Sequence, residues 1–116
     1  MRHSVKGTKF GREKGDRRQF VKSLMTSLIL EGAIQTTPAR AKEIRPRVEK
    51  MVTLAKKQDL ASLKLLISRL PEKPAFKLYH EIAPKYMDRK GGYLRILKTG
   101  KVRMRDGVEM VKIEFV

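Results

Sequence analysis

A chain of 116 residues, 41% of them hydrophobic, is sized for one domain with its own core. Lys and Arg number 28 against 12 Asp and Glu, a formal charge of +16, which points to a polyanionic partner and away from a neutral small-molecule substrate. With no cysteine there is no disulfide framework or thiolate metal site, and no apolar run is long enough for a secretory signal or a membrane span.

The first eighteen residues carry seven Lys/Arg (Arg2, Lys6, Lys9, Arg12, Lys14, Arg17, Arg18) against Glu13 and Asp16, and are interrupted by Gly7, Gly11 and Gly15. Such a stretch buries too little apolar surface to offset the entropy of ordering it, so it is expected to order on a polyanion. Asp16 is placed as an N-cap with Gln19 as its capping-box partner. Phe20, Leu24, Leu28 and Val21, Met25, Ile29 then form two adjacent i, i+4 rows, and Gly32 closes a helix over 16–31. Arg18 and Lys22 on its other face continue the basic surface.

Residues 33–37 read as a brief strand around Ile34. Thr37 caps a second helix, with Pro38 at its first position. The 3-4-3 spacing of Ala41, Ile44, Val48, Met51, Val52 and Ala55 predicts one helix over 38–57, kinked at Pro46, whose missing N–H removes the bond to Lys42. Asp59 caps a third helix, 60–70, with Leu60, Leu63, Leu66, Ile67 and Leu70 inward. A fourth, 74–83, opens at Pro74 and ends at Pro84. A basic connection with Lys85, Arg89 and Lys90 leads through Gly91-Gly92 into a strand over 93–99. Asp106-Gly107 signals a hairpin into a last strand, 108–115, with Val111, Ile113 and Phe115 on one face. The fold class is α+β: four helices packed on a small, mostly antiparallel sheet made of the C-terminal hairpin plus a short strand, with a basic N-terminal extension.

Catalytic chemistry finds no constellation here. The two histidines, His3 and His80, are far apart in the sequence, and no metal-ligand spacing, phosphate-cradling glycine loop or nucleophile elbow is present. No enzyme activity and no cofactor are expected. Membrane attachment is not expected either, because there is no Trp anchor and the apolar stripes are committed to the core.

The positive signal is four basic patches: the extension, 40–47, 85–90 and 95–105. Arginine holds phosphate bidentately, so Arg40, Arg45, Arg89 and Arg95 lead the candidates for fixed contacts, with Lys6, Lys9 and Lys14 for diffuse neutralisation. Gly91 and Gly92 can bring backbone N–H groups close to a phosphate. Tyr86 and Tyr93 flank them, one suited to stacking on an unpaired base and the other to the core; alternation sets Tyr93 on the face of Arg95 and Leu97. No groove-reading helix-turn-helix, zinc finger or zipper is visible, and a glycine-spaced basic extension suits folded RNA.

The initial Met1-Arg2-His3, Thr36-Thr37 before Ala41-Lys42-Glu43, Leu54-Ala55-Lys56, Lys77-Leu78 with Glu81, Pro84, and Arg89 followed by Gly91-Gly92-Tyr93-Leu94-Arg95-Ile96-Leu97-Lys98 resemble protein 17 of the bacterial large ribosomal subunit in order, spacing and total length. The resemblance implies a structural ribosomal protein of the cytoplasm. Its partners would be large-subunit (23S) rRNA and neighbouring large-subunit proteins. Arg2, His3, Lys42, Arg89, Gly91, Gly92, Tyr93, Arg95 and Lys98 sit where the family's motifs sit. The family commonly has Ser-Ser-His-Arg before its first helix, where this sequence has Lys14-Gly15-Asp16-Arg17.

The expected organisation is a basic RNA-binding extension, 1–15, and a single α+β domain, 16–116. The expected RNA-binding set is Arg2, His3, Lys6, Lys9, Arg12, Lys14, Arg17, Arg18, Lys22, Arg40, Lys42, Arg45, Arg89, Lys90, Gly91, Gly92, Tyr93, Arg95 and Lys98. Their expected role is to pack rRNA by neutralising phosphates. The alternative is a basic, nucleoid-type DNA-binding protein.

Overall fold

The computed structural model describes Phe10 and residues 13–116. The expectations that fall on Arg2, His3, Lys6, Lys9 and Arg12 lie outside the described residues.

Helix α1 spans Lys14–Glu31, β1 Ala33–Thr36, α2 Pro38–Ala55, α3 Leu60–Arg69, α4 Glu72–Lys77, β2 Leu94–Val102 and β3 Glu109–Phe115. The three strands form one antiparallel sheet in the order β1-β3-β2. Ile113 lies between Ile34 and Ile96 in register, and the three make the sheet's inner row. Helix α2 packs on β3 and β2, α1 packs on β1, and α3 and α4 extend the helical layer. Val21, Leu28, Ile29, Ile44, Val48, Val52, Leu66, Leu78 and Ile113 belong to one continuous core. The α+β class, the four helices and the small sheet are as the sequence pattern predicts.

Local signals explain most of the boundaries. The Gly32 N–H donates to Leu28 O at 2.8 Å with φ of +82°, a left-handed stop that glycine adopts without steric cost. The Thr37 hydroxyl accepts from the Arg40 N–H at 3.4 Å, and Pro38 occupies the first turn. The Asp59 carboxylate accepts from the Ser62 N–H at 2.7 Å, and hydrogen bonding by Ser62, its side chain first and then its N–H, holds the Asp59 pKa below the ordinary value. Helix α2 runs through Pro46 as one element and ends at Ala55, two residues before the expected end.

Five expectations are corrected. Asp16 is not the N-cap of α1. Arg17 N donates to Glu13 O at 2.8 Å, so the helix closes a turn earlier, and Asp16 sits inside the first turn near the positive end of the dipole. Leu60 and Ile67 do not face inward; they are 64% and 40% exposed, because α3 has helical neighbours along one side only. The fourth helix starts at Glu72, and Pro84 does not end it. Ala83 N reaches back to Leu78 O, giving a wide π turn over Leu78–Ile82, and a 3₁₀ turn over Ala83–Tyr86 then accommodates the proline. Tyr93 lies just before β2, not on the outer face with Arg95; it is 2% exposed. The expected strands are also displaced: β2 continues to Val102 past an irregularity at Gly100 (φ +75°), and β3 begins at Glu109.

The split character of α3 is directly measurable. Leu60→Ser changes stability by no more than about 0.5 kcal/mol, as for an exposed position. Leu66→Ala, at a fully buried position, costs about 2–5 kcal/mol in urea unfolding.

Candidate nucleic-acid interface

Two groups of basic residues emerge, and the fold treats them differently. The first lies on α1 and the start of α2. Lys14 and Arg18 are exposed, and Arg17 and Lys22 half-exposed. None of the four makes an ion pair among the described residues. The Arg40 guanidinium lies 4.9 Å from the centroid of the Phe20 ring, so α2 brings its first arginine against α1. On Phe20 also rests Phe10, edge-on, with ring centroids 5.3 Å apart. Phe10 of the basic extension and Arg40 of α2 thus share the Phe20 ring. Lys42, two residues further along α2, is exposed.

The second group surrounds the glycine pair, and there the charges are committed to the fold. Arg89 Nε donates to both Gly91 O and Gly92 O at 3.2 Å. Arg89 O accepts from Lys56 Nζ and from the Tyr93 hydroxyl, and Lys56 Nζ also reaches that hydroxyl at 2.9 Å. The Tyr93 N–H donates to Glu49 Oε2 at 2.9 Å, while Glu49 Oε1 holds Arg45 at 3.4 Å. Tyr86 packs on Tyr93 with centroids 5.3 Å apart, and its hydroxyl donates to Val116 O at 2.7 Å. Burial raises the Tyr86 hydroxyl pKa. Gly92 has φ of +64°, which favours glycine there.

Arg45, Arg89, Gly91, Gly92 and Tyr93 therefore meet in one network, mostly as donors and acceptors within the fold. Both Tyr86 and Tyr93 are core residues, and neither ring is free to stack on a base. Arg89 keeps its terminal guanidinium N–H groups outside these bonds, and Lys90 is exposed. Sequence reasoning assigned no role to Lys56 or Glu49, the two side chains that pin this loop to α2.

On the outer sheet face Arg95 Nε donates to Glu114 Oε1 at 2.7 Å, and Lys112 Nζ lies 3.1 Å from Glu114 Oε2. Both hydrogen bonds, the Arg95 one foremost, hold the Glu114 pKa below its ordinary value. Arg95 is thus anchored on one side while its guanidinium stays half-exposed. Lys98 is exposed further along β2.

At the hairpin tip Arg103 and Asp106 form a two-point pair, and Arg103 N and O are tied to Val108 and Gly107. The Arg103 hydrogen bond takes the Asp106 pKa from 3.8 down to about 2. A folded-state value below the unfolded one means that the pair supports the tip above about pH 4 and is lost as pH falls through about 2. An NMR carboxyl titration is expected to place the Asp106 midpoint near 2, and Arg103→Ala returns it to the ordinary aspartate range.

Among the described residues no group of three or more His, Cys, Asp or Glu could hold a metal ion, and no helix is long and apolar enough to cross a membrane. What the surface offers chemically is fixed arginines and loose lysines, suited to phosphate.

Comparison with known proteins agrees from end to end. The family model described as Ribosomal protein L17 matches residues 20–116. The large ribosomal subunit protein bL17 of Persephonella marina is 48% identical over 118 residues, covering 100% of this chain and 95% of the relative. That of Thermodesulfovibrio yellowstonii is 42% identical, covering 100% of this chain and 87% of the relative. That of Desulfitobacterium hafniense (strain Y51) is 49% identical over 93% of this chain and 96% of the relative.

Proposed function

The chain belongs to the ribosomal protein L17 family, and from that premise we propose that it binds and packs large-subunit (23S) rRNA by neutralising phosphates. It is a structural ribosomal protein and not an enzyme. The proposed partners are that rRNA and neighbouring large-subunit proteins, in the ribosome of a bacterial cytoplasm.

The observation that carries this reading is that Lys14, Arg17, Arg18, Lys22 and Lys42 reach solvent on α1 and α2 with no carboxylate partner among the described residues, with Arg40 set against Phe20. Cations without carboxylate partners attract a phosphate backbone and release its condensed counterions. The extension, residues 1–15, adds Arg2, Lys6, Lys9 and Arg12 to those cations, and the domain, 16–116, anchors it. The Arg89–Tyr93 loop is a rigid mount on the same reading. Lys56 and Glu49 hold its backbone, leaving the outer part of Arg89, with Lys90, Gly91 and Gly92, as its contact surface. Arg95 and Lys98 supply phosphate contacts on β2.

Two measurements test this. In a lysate fractionated on a sucrose gradient, the protein travels with the large subunit and resists moderate salt. In filter binding to large-subunit rRNA, log K falls with log[salt] at a slope of several units. Residence at the top of the gradient, or sedimentation with DNA, would overturn the reading.

A further inference from the structure

Between α1, α2 and the end of α3 lies a cleft of about 200 Å³ that shares only Arg47 with the basic patches above. Met25 from α1 and Met51 from α2 line it with Arg47 and Lys50 from α2 and Arg69 from α3. The two methionines are 6% and 7% exposed, so they form a fixed apolar floor. Arg47 is held by Glu43 at 3.1 Å, which orients a guanidinium with further N–H groups to spare. Lys50 and Arg69 are exposed and have no ion-pair partner among the described residues.

We infer that this cleft receives a single unpaired nucleotide of the RNA, its base against Met25 and Met51 and its phosphate on Arg47, Lys50 and Arg69. The inference rests on the rRNA-binding reading and specifies one contact within it. Thioether sulfur is polarisable and packs favourably on a flat aromatic ring. The rim cations come from two helices and converge on one opening, the arrangement a single phosphate requires. A base-paired helix presents its phosphates and keeps its bases stacked inside, so only a splayed-out base reaches the apolar floor. The cleft is thus matched to a loop or bulge rather than to a duplex.

The test uses the full chain with large-subunit rRNA. Lys50→Ala and Arg69→Ala, both at exposed positions, are each expected to lower the salt slope of binding by about one. The double variant is expected to restore chemical reactivity to one unpaired base that the unmodified protein protects, while the rest of the footprint stays. Arg18→Ala and Lys22→Ala on α1 serve as controls. If these lower the slope and the cleft variants do not, the cleft proposal fails and the rRNA reading stands. If neither pair lowers it, the cleft proposal fails; the rRNA reading itself fails if the full chain shows no salt slope. A lowered slope with no base newly reactive also overturns the proposal, since the rim would then be a plain phosphate contact.

Discussion

Tyr93→Ala is expected to destabilise the free protein by about 3–5 kcal/mol in chemical unfolding, the cost of emptying a large buried aromatic site. Tyr93 is 2% exposed, packs on Tyr86 and closes the loop between the helical layer and β2. Tyr93→Phe keeps the ring and removes only the hydroxyl, which accepts from Lys56 and donates to Arg89 O at 3.2 Å. That variant is expected to cost about 1–3 kcal/mol, because it strips hydrogen bonds from a partly buried amine and carbonyl. Glu49→Ala should fall in the same range, since it leaves the Tyr93 N–H without its acceptor. A base-stacking tyrosine behaves oppositely. Its removal leaves the free domain stable and weakens RNA binding by about 1–3 kcal/mol. Unfolding of the free chain and filter binding of the RNA, run on the same three variants, separate the two roles. Equal stability of all three with the parent would remove Tyr93 from the core.

The contrast between Tyr93 and the elements around it shows what local pattern can carry. The α1 rows, the Gly32 stop, the Thr37-Pro38 start, the Asp59 cap and the Asp106-Gly107 turn are decided within a few residues of themselves, and all are legible in the sequence. Asp16 misled because two acids, Glu13 and Asp16, lie within one turn, and the bond from Arg17 N to Glu13 O selects the earlier start. Leu60 and Ile67 misled because spacing gives the width of an apolar stripe and not how much of it finds a neighbour. The Arg89–Tyr93 network was not legible as structure. Glu49 reaches Tyr93 across 44 positions, and Lys56 reaches Arg89 and Tyr93 across 33 and 37. Lys56 stood inside a recognised motif, yet a lysine tied to a backbone carbonyl reads in sequence like a solvated one. The same limit applies to Arg45 and Arg95, whose carboxylate partners are decided by helix periodicity in one case and strand register in the other. Composition marks the chain as basic as a whole, and only the fold separates unpaired cations from those already held in ion pairs.

Deleting residues 1–12 is expected to produce the second large effect, on binding rather than on folding. The cut leaves Glu13 and the first turn of α1 intact, since Arg17 N bonds to Glu13 O. It removes Arg2, Lys6, Lys9 and Arg12. Four lost phosphate contacts lower the salt slope by about three units, so a fourfold rise in salt weakens the full chain about 60-fold more than the truncated one. The structural loss is confined, among the described residues, to Phe10, whose edge-on contact with Phe20 is worth about 0.5–1.5 kcal/mol. Thermal unfolding of the free chain therefore shifts by only a few degrees, while titration of rRNA over a salt series changes steeply. Phe10→Ala in the full chain isolates the first term, because it removes the ring and keeps all four charges. If that single change lowered the slope as far as the deletion does, the extension would act through its seat on Phe20 and not through its own cations. If the deletion unfolded the domain, the extension would be part of the fold, and its charge would have to be counted with the surface of α1 rather than as a separate arm.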